Sequence, residues 1–175
     1  ALDKDGNLPW IDRCSHSPTH GQRLQVRTIN LHHVVDWIVK PVTEPYQCSM
    51  VELLLGNNNH QEGEVHQKPR WFVSHAWSEP VEDFVASIAH HAKLRGLSID
   101  DDPYWICGYG NNQHMIEEEI NNKNGTADPK QTSFYRAMQQ SQGVLLCLDE
   151  VATPLTRIWC CFEEAMIVQQ QGGCG

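Results

Sequence analysis

Three residues with the side-chain types of a ligand-binding loop follow a short apolar run. His75, Trp77 and Ser78 come directly after the run at 71–74. Imidazole, indole and hydroxyl groups can all form hydrogen bonds with a bound molecule. Contact with a ligand is therefore one interpretation of this segment. The other is that these side chains hold the loop in place by packing and by hydrogen bonds within the protein.

A second group of candidate binding residues is rich in side-chain amides. It lies just beyond another apolar run, at 104–107, and consists of Asn111, Asn112, Gln113 and His114. Amides offer donors and acceptors through which a loop can bind a nucleotide. Asn is equally common in turns, because it tolerates left-handed backbone. Both interpretations of this loop stay open.

The elements that would position these residues alternate between strand and helix from residue 70 onward. Apolar runs at 71–74, 104–107 and 143–148 are typical of buried strands. Three helices are predicted between and after them: one starting near Ser78 and Pro80 with Val81, Phe84, Val85, Ile88 and Ala92 inward, one capped by Ser133, and one opened by Thr153 and Pro154. This order predicts an α/β fold, a parallel sheet with helices on both faces. Ligands bind such sheets at the carboxyl ends of the strands.

Residues 1–69 are predicted to form an N-terminal extension, outside an α/β domain that covers 70–175. Residues 1–27 are polar and have no clear period, which indicates an irregular arm. The apolar stretch at 26–39 is predicted to be part strand and part helix. Ser49 to Glu52 has the pattern of a capping box that opens a short helix. The extension is expected to pack on the α/β domain or to link it elsewhere.

Composition excludes some classes of function. The chain has 175 residues, with 13 Lys and Arg against 22 Asp and Glu, a net charge of −9. This balance argues against binding nucleic acid or an anionic membrane surface as the main role. No apolar run is long enough to cross a bilayer. The region at 70–175 has no C-x-x-C or H-x-x-x-H pair, so no metal site is predicted there.

The seven cysteines indicate a reducing environment. An odd number cannot pair completely within one chain, and four of them fall in predicted core elements: Cys107, Cys147, Cys160 and Cys161. Buried free thiols are typical of intracellular proteins. The expected location is the cytoplasm, or an organelle after removal of a targeting peptide. The first residue, Ala1, is compatible with such removal and equally with a start inside a longer protein.

Three motifs follow one another in the α/β region: Phe72-Val73-Ser74-His75-Ala76-Trp77-Ser78-Glu79, the segment at 141–148, and Trp159-Cys160-Cys161-Phe162-Glu163. The first is similar to the first strand and loop of Toll/interleukin receptor (TIR) domains, and the other two resemble a later strand of that family and a helix with the pattern W-C-x-x-E. The wider string, with 111–114 and 154–157, looks like the TIR-like branch seen in algal and protist proteins. The resemblance implies a flavodoxin-like topology. Because the family has two further strand–helix units, the sheet is expected to be incomplete at its C-terminal end, or completed by the extension.

Many TIR domains cleave NAD at the bond between nicotinamide and ribose, and the resemblance places their catalytic carboxylate on Glu163. Nicotinamide leaves as a neutral ring, so one carboxylate that stabilises an oxocarbenium-like transition state is sufficient. Trp159 lies one helical turn earlier and is expected to share the site. NAD would then be a substrate, and no cofactor is required.

Other interpretations of Glu163 and of the domain remain. Glu163 is also readily explained as a solvated side chain on a helix face, or as the partner of Arg157. The domain would then be a nucleotide-binding signalling module without turnover, a protein interaction module that works by self-association or through a partner, or an accessory subunit of a larger assembly.

Overall fold

A computed structural model describes residues 4, 7–15, 17–56, 68–98, 101–116, 129–157, 160–163 and 165–166. Its strands are β1 Asn7–Ile11, β2 Arg23–Gln25, β3 Trp71–Ser74, β4 Tyr104–Trp105 and β5 Gly143–Leu146. Its α-helices are α1 Leu31–Val34, α2 Lys40–Thr43, α3 Met50–Gly56, α4 Val81–Arg95, α5 Cys107–Gly110 and α6 Ser133–Gln140. Short 3-10 helices cover Val26–Thr28, Pro129–Gln131 and Thr153–Thr156. None of the helices in these ranges has the length and apolar composition needed to cross a membrane.

The predicted α/β architecture is confirmed. Strand β3 lies at the centre of a three-stranded parallel sheet with the order β4-β3-β5. All four residues of β3 are buried, as expected of a central strand. Phe72 packs on Ala137 and Met138 of α6, whereas Val73 packs on Phe84 of α4. Because successive residues of a strand face opposite sides of the sheet, α6 and α4 cover its two faces.

Two of the predicted strands are shorter than their apolar runs. The run at 104–107 stops being a strand at Trp105, because Cys107 begins α5. In the run at 143–148, the strand ends at Leu146. One more hydrogen bond to β3 follows, from the Cys147 N–H to the Ser74 carbonyl at 2.9 Å. Strand pairing therefore ends where β3 ends.

The helix predictions were right in position and wrong in some details. In α4, Phe84 and Ala92 are buried as predicted, but Val85 is 55% exposed. A residue adjacent to Phe84 lies about 100° further round the helix, so it faces solvent. In α6, the N-cap is Thr132 and not Ser133, because the Thr132 side chain accepts the hydrogen bond from the Tyr135 N–H at 3.2 Å.

The last predicted helix is interrupted. Thr153–Thr156 forms a 3-10 turn, and its first N–H is accepted by the Asp149 carboxylate at 2.7 Å. Arg157 then has extended backbone, with φ −98° and ψ 129°, and helical structure resumes at 160–163. Leu155 is 48% exposed, contrary to its predicted inward face, since it lies in the turn rather than in a helix.

The sequence pattern predicts an irregular N-terminal arm, but the structure has a β-hairpin there. Strands β1 and β2 pair as an antiparallel hairpin. Its loop is held by Asp12, which accepts hydrogen bonds from the Cys14 N–H at 2.9 Å and the Thr19 hydroxyl at 2.6 Å. Gly21 supplies a left-handed turn residue, with φ +79°. Because the loop is long and polar and the two strands are short, the sequence pattern did not indicate the strands.

The stretch at 26–39 is helical rather than part strand. After the 3-10 turn, α1 begins at a capping box in which the Asn30 side chain accepts from the His33 N–H and the His33 ring accepts from the Asn30 N–H. A π-helical turn, Val35–Val39, joins α1 to α2 without a break. The three segments form one helix over 31–43, named here the N-terminal helix. The predicted capping box of α3 is confirmed, with Ser49 and Glu52 bonded reciprocally at 2.7 and 3.1 Å.

The cysteines follow the predicted pattern with one exception. The six that lie in the described part of the chain are free. Cys107, Cys147 and Cys160 are buried, as predicted for core thiols. Cys161 is exposed, because it lies next to Cys160 on a helix whose other side faces the interior.

Replacing Asp12 by alanine is expected to destabilise the fold by about 2 kcal/mol, because the Cys14 N–H and the Thr19 hydroxyl lose their acceptor and the buried His33 ring loses a neighbouring carboxylate. Asp12 is 1% exposed and lies 3.3 Å from the His33 ring. Burial alone raises the pKa of Asp12, but hydrogen bonds from Ser17, Thr19 and Cys14 and the His33 charge outweigh it and hold this pKa below the usual 3.8. The contribution is therefore complete above about pH 4 and is lost as the pH falls further. Urea denaturation measures it.

The control for this measurement is Asp101→Ala, which removes an exposed carboxylate. Equal midpoints for the two variants would contradict the structural role given to Asp12.

Candidate functional site

A cavity of about 410 Å³ lies at the carboxyl end of β3, where the N-terminal helix packs against the sheet. Its size is at the lower end of the range for small-molecule sites. The wall is aromatic and aliphatic for the most part. Its polar and charged side chains come from four parts of the chain: His32, Asp36 and Lys40; Ser74 and His75; Gln113; Arg157, Cys160 and Glu163.

Glu163 is the buried carboxylate of this cavity. The side chain belongs to the helical residues at 160–163, and the residue is 5% exposed. Its charge affects the pKa values of two neighbouring thiols. Burial raises the pKa of Cys107 to about 12, and the nearby Glu163 charge adds to that rise. Burial and Glu163 also raise the pKa of Cys160, against a lowering contact with Ser74. Glu163 thus lies among groups that are largely removed from water.

Arg157 brings a positive charge to the same wall. Its guanidinium donates a long hydrogen bond, 3.5 Å, to the His75 carbonyl. The extended backbone between the 3-10 turn and the following helix places it there. The cavity therefore holds the side chains of Arg157 and Glu163 beside its aromatic and aliphatic residues, so a few polar groups converge on an apolar wall.

His75 is a neutral imidazole at physiological pH. Burial, and then the charge of Arg157, lower its pKa from 6.5 to about 4. The ring stacks on Phe84 with centroids 4.2 Å apart, and the residue is 5% exposed. In the described ranges, neither of its ring nitrogens has a hydrogen-bond partner. A neutral imidazole has one donor and one acceptor, so His75 retains unused hydrogen-bonding capacity beside the cavity.

Trp77 forms part of the wall between the sheet and the N-terminal helix. Its indole N–H donates to the Cys107 sulfur at 2.8 Å. The His32 ring meets it edge-on, with centroids 5.1 Å apart. Burial and the charge of Arg157 lower the pKa of His32. The two aromatic rings thus join the two parts of the protein at the cavity.

The residues predicted from sequence are only partly brought together. Glu163, His75, Trp77 and Gln113 line the cavity. Gln113 uses its side-chain amide to donate to the carbonyls of Cys107 and Asn111, at 3.0 and 3.3 Å. It therefore shapes the wall.

The other predicted residues lie elsewhere. Ser78 is exposed beyond the cavity, and Asn111 is buried outside its wall. Asn112 and His114 contact the N-terminal segment: the Asn112 amide donates to the Gln47 carbonyl at 2.6 Å, and the His114 ring is 2.8 Å from the Thr43 hydroxyl. Trp159 lies outside the described residues.

Sequence reasoning missed the contribution of the N-terminal helix. His32, Asp36 and Lys40 all line the cavity. They are spaced by four residues, which places them on one face of a helix, and this was the signal available in the sequence. Asp36 belongs to the π-helical turn, a local geometry that is frequent at functional sites.

No family model, curated protein or solved structure matches the chain. Within the described ranges, no group of three or more His, Cys, Asp or Glu side chains is placed to hold a metal ion.

Replacing His75 by glutamine is expected to flatten the pH dependence of stability. Between pH 6.5 and 4, the unfolded chain binds a proton at His75 that the folded protein does not bind. The free energy of unfolding of the wild type therefore decreases as the pH is lowered. The loss due to His75 should be about 2 kcal/mol at pH 5. Denaturation midpoints from pH 5 to pH 7 measure the slope.

His90→Gln, at an exposed histidine, serves as the control and should keep the wild-type slope. An unchanged slope in His75→Gln would show that the His75 ring is not held neutral.

Proposed function

We propose that the cavity binds a nicotinamide nucleotide and that Glu163 acts in cleavage of the bond between nicotinamide and ribose, the activity implied by the resemblance to TIR domains. The observation that carries the proposal is the burial of Glu163 in the wall of a ligand-sized cavity at the carboxyl end of β3. A carboxylate in such a position stabilises positive charge more strongly than one in water.

The proposed reaction places the carboxylate beside the ribose. As the carbon–nitrogen bond breaks, its electron pair stays on the nicotinamide nitrogen, and positive charge develops on the ribose ring. Glu163 stabilises that charge or holds the ribose hydroxyls. Water then adds its oxygen to the ribose carbon and releases a proton. No general acid is required, because the leaving ring is neutral.

The remaining wall residues suit the rest of such a ligand. Trp77, Trp105 and Phe134 provide aromatic surface for a flat ring. His75 has unused hydrogen-bonding capacity for an amide or hydroxyl group, and Arg157 offers a cation. Binding without turnover uses the same contacts and would make the domain a nucleotide-binding signalling module. The free thiols in the described part of the chain support a reducing compartment for either activity.

Glu163→Gln is expected to lower the rate of nicotinamide release from NAD at least about 100-fold, because the neutral amide no longer stabilises the developing charge. The substitution keeps the size of the side chain, so the cavity and the folded structure should persist. Release is measured by chromatography of the reaction products at high protein concentration.

Glu150→Gln removes an exposed carboxylate outside the cavity and should keep full activity. If the wild-type protein binds nicotinamide nucleotides but releases no nicotinamide, the binding-only function replaces the catalytic one. If it neither binds nor cleaves them, the proposal is wrong.

A second candidate function is a protein interaction module, which works through self-association or a partner. The observation that favours it is an exposed apolar stripe along the N-terminal helix and the turn after it. Ile38, Val42 and Tyr46 are 37%, 49% and 63% exposed and are spaced by four residues. Exposed apolar side chains in a row are typical of contact surfaces.

Val42→Asp is expected to abolish self-association if this stripe is the contact surface, because a buried charge at an interface is costly. Sedimentation velocity across a range of concentrations measures the oligomeric state. Leu94→Asp alters an equally apolar position on α4, 72% exposed, and should leave association unchanged. A monomeric wild-type protein would remove self-association from consideration.

A further inference from the structure

A second cavity, of about 440 Å³, adjoins the first on the side of the N-terminal helix. It is lined by Arg13, Asp36, Lys40, Pro41, Glu44 and His114. Asp36 and Lys40 line both cavities, so this pair forms the boundary between them. Each cavity has the volume of a site for one small molecule. An elongated ligand that occupies both must pass beside Asp36 and Lys40.

The boundary pair is weakly held. The Lys40 ammonium is 3.4 Å from the Asp36 carboxylate, and the two side chains are 46% and 29% exposed. Exposed pairs at this helical spacing contribute little to stability. An anionic group of a ligand can therefore replace Asp36 as the partner of Lys40.

Arg13 is positioned at the second cavity by the hairpin. Its guanidinium lies 3.7 Å from the centre of the Trp37 ring, and the Trp37 N–H donates to the Ile11 carbonyl at 2.8 Å. Arg13 and Lys40 thus place two cations on this cavity, beside the carboxylates of Asp36 and Glu44. Cations bind phosphate, whereas carboxylates accept hydrogen bonds from ribose hydroxyls. The mixed lining suits a group that carries both.

We propose that the second cavity is a subsite for the phosphate–ribose part of a dinucleotide, with Lys40 binding the diphosphate between the two cavities. The inference rests on the proposed function and deepens it, because it assigns the diphosphate and the second half of the ligand to a separate subsite formed by the hairpin and the N-terminal helix. The nicotinamide end occupies the first cavity, near Glu163, and the second nucleotide half reaches Arg13.

The test compares three probes, NAD, nicotinamide mononucleotide and nicotinamide riboside, by isothermal titration calorimetry with the full chain. The wild-type protein is expected to bind the two phosphate-containing probes at least about tenfold more tightly than the riboside. Lys40→Gln should weaken binding of the two phosphate-containing probes more than binding of the riboside, and so remove that preference. Arg13→Gln should weaken NAD more than the mononucleotide, since only NAD reaches the far side of the second cavity.

Lys93→Gln is the matched control, because it removes the same charge from an exposed position on α4. It should leave all three affinities as in the wild type. If the riboside binds but phosphate adds no affinity, or if Lys40→Gln weakens all three probes equally, this inference is wrong and the proposed function stands. If no probe binds to the wild-type protein, the proposed function fails and this inference fails with it.

Discussion

Two sets of hydrogen bonds hold the N-terminal helix against the carboxyl end of the central strand, and the cavity depends on both. At one end, the Leu31 N–H donates to the Trp77 carbonyl at 3.1 Å, and the Val81 N–H donates to the Ile29 carbonyl at 2.7 Å. At the other end, His114 and Asn112 hold the segment around Thr43 and Gln47. Between these points the helix packs its buried aliphatic side chains on α5. Its polar face is thereby fixed beside the strand end.

The electrostatics of the cavity follow from this closure. With one wall supplied by the helix, His75 and Glu163 are almost fully removed from water. A buried charge is costly unless another charge is near, and Arg157 is placed in the same wall. Burial, and then the charge of the same guanidinium, lower the pKa of His75 and keep its ring neutral. The cavity therefore combines the Glu163 side chain, the Arg157 guanidinium and an imidazole that is neutral at physiological pH.

Much of the fold was accessible from sequence, because apolar runs and helical spacing are local signals. The β3 run at 71–74, the inward Phe84 of α4 and the Ser49–Glu52 capping box were all predicted. The hairpin was not predicted, because its strands are short and the long polar loop held by Asp12 has a sequence typical of an irregular segment. Nor was the break at Arg157, because the extended backbone that follows the 3-10 turn has no local signal in the sequence. The resemblance to TIR domains indicated Glu163, and the position after a predicted strand indicated His75. The contribution of the N-terminal helix to the same wall is a tertiary property, which neither signal contains. Asn112 and His114 illustrate the limit: their side-chain types fit a ligand loop, and the fold uses them to hold the extension.

The cavity wall joins residues 32–40 to residues 157–163, which are separated by more than 100 positions in the sequence. Contacts between such distant segments form late, because a long loop must close before they are made. During synthesis, the N-terminal helix leaves the ribosome well before Arg157, Cys160 and Glu163, so the wall of the cavity is completed only after this later segment has been made. A molecule that fills the finished cavity binds only the native chain, so it shifts the folding equilibrium of the whole protein. A ligand in this cavity would thus increase the fraction of chains that are folded, in addition to any reaction that it undergoes there.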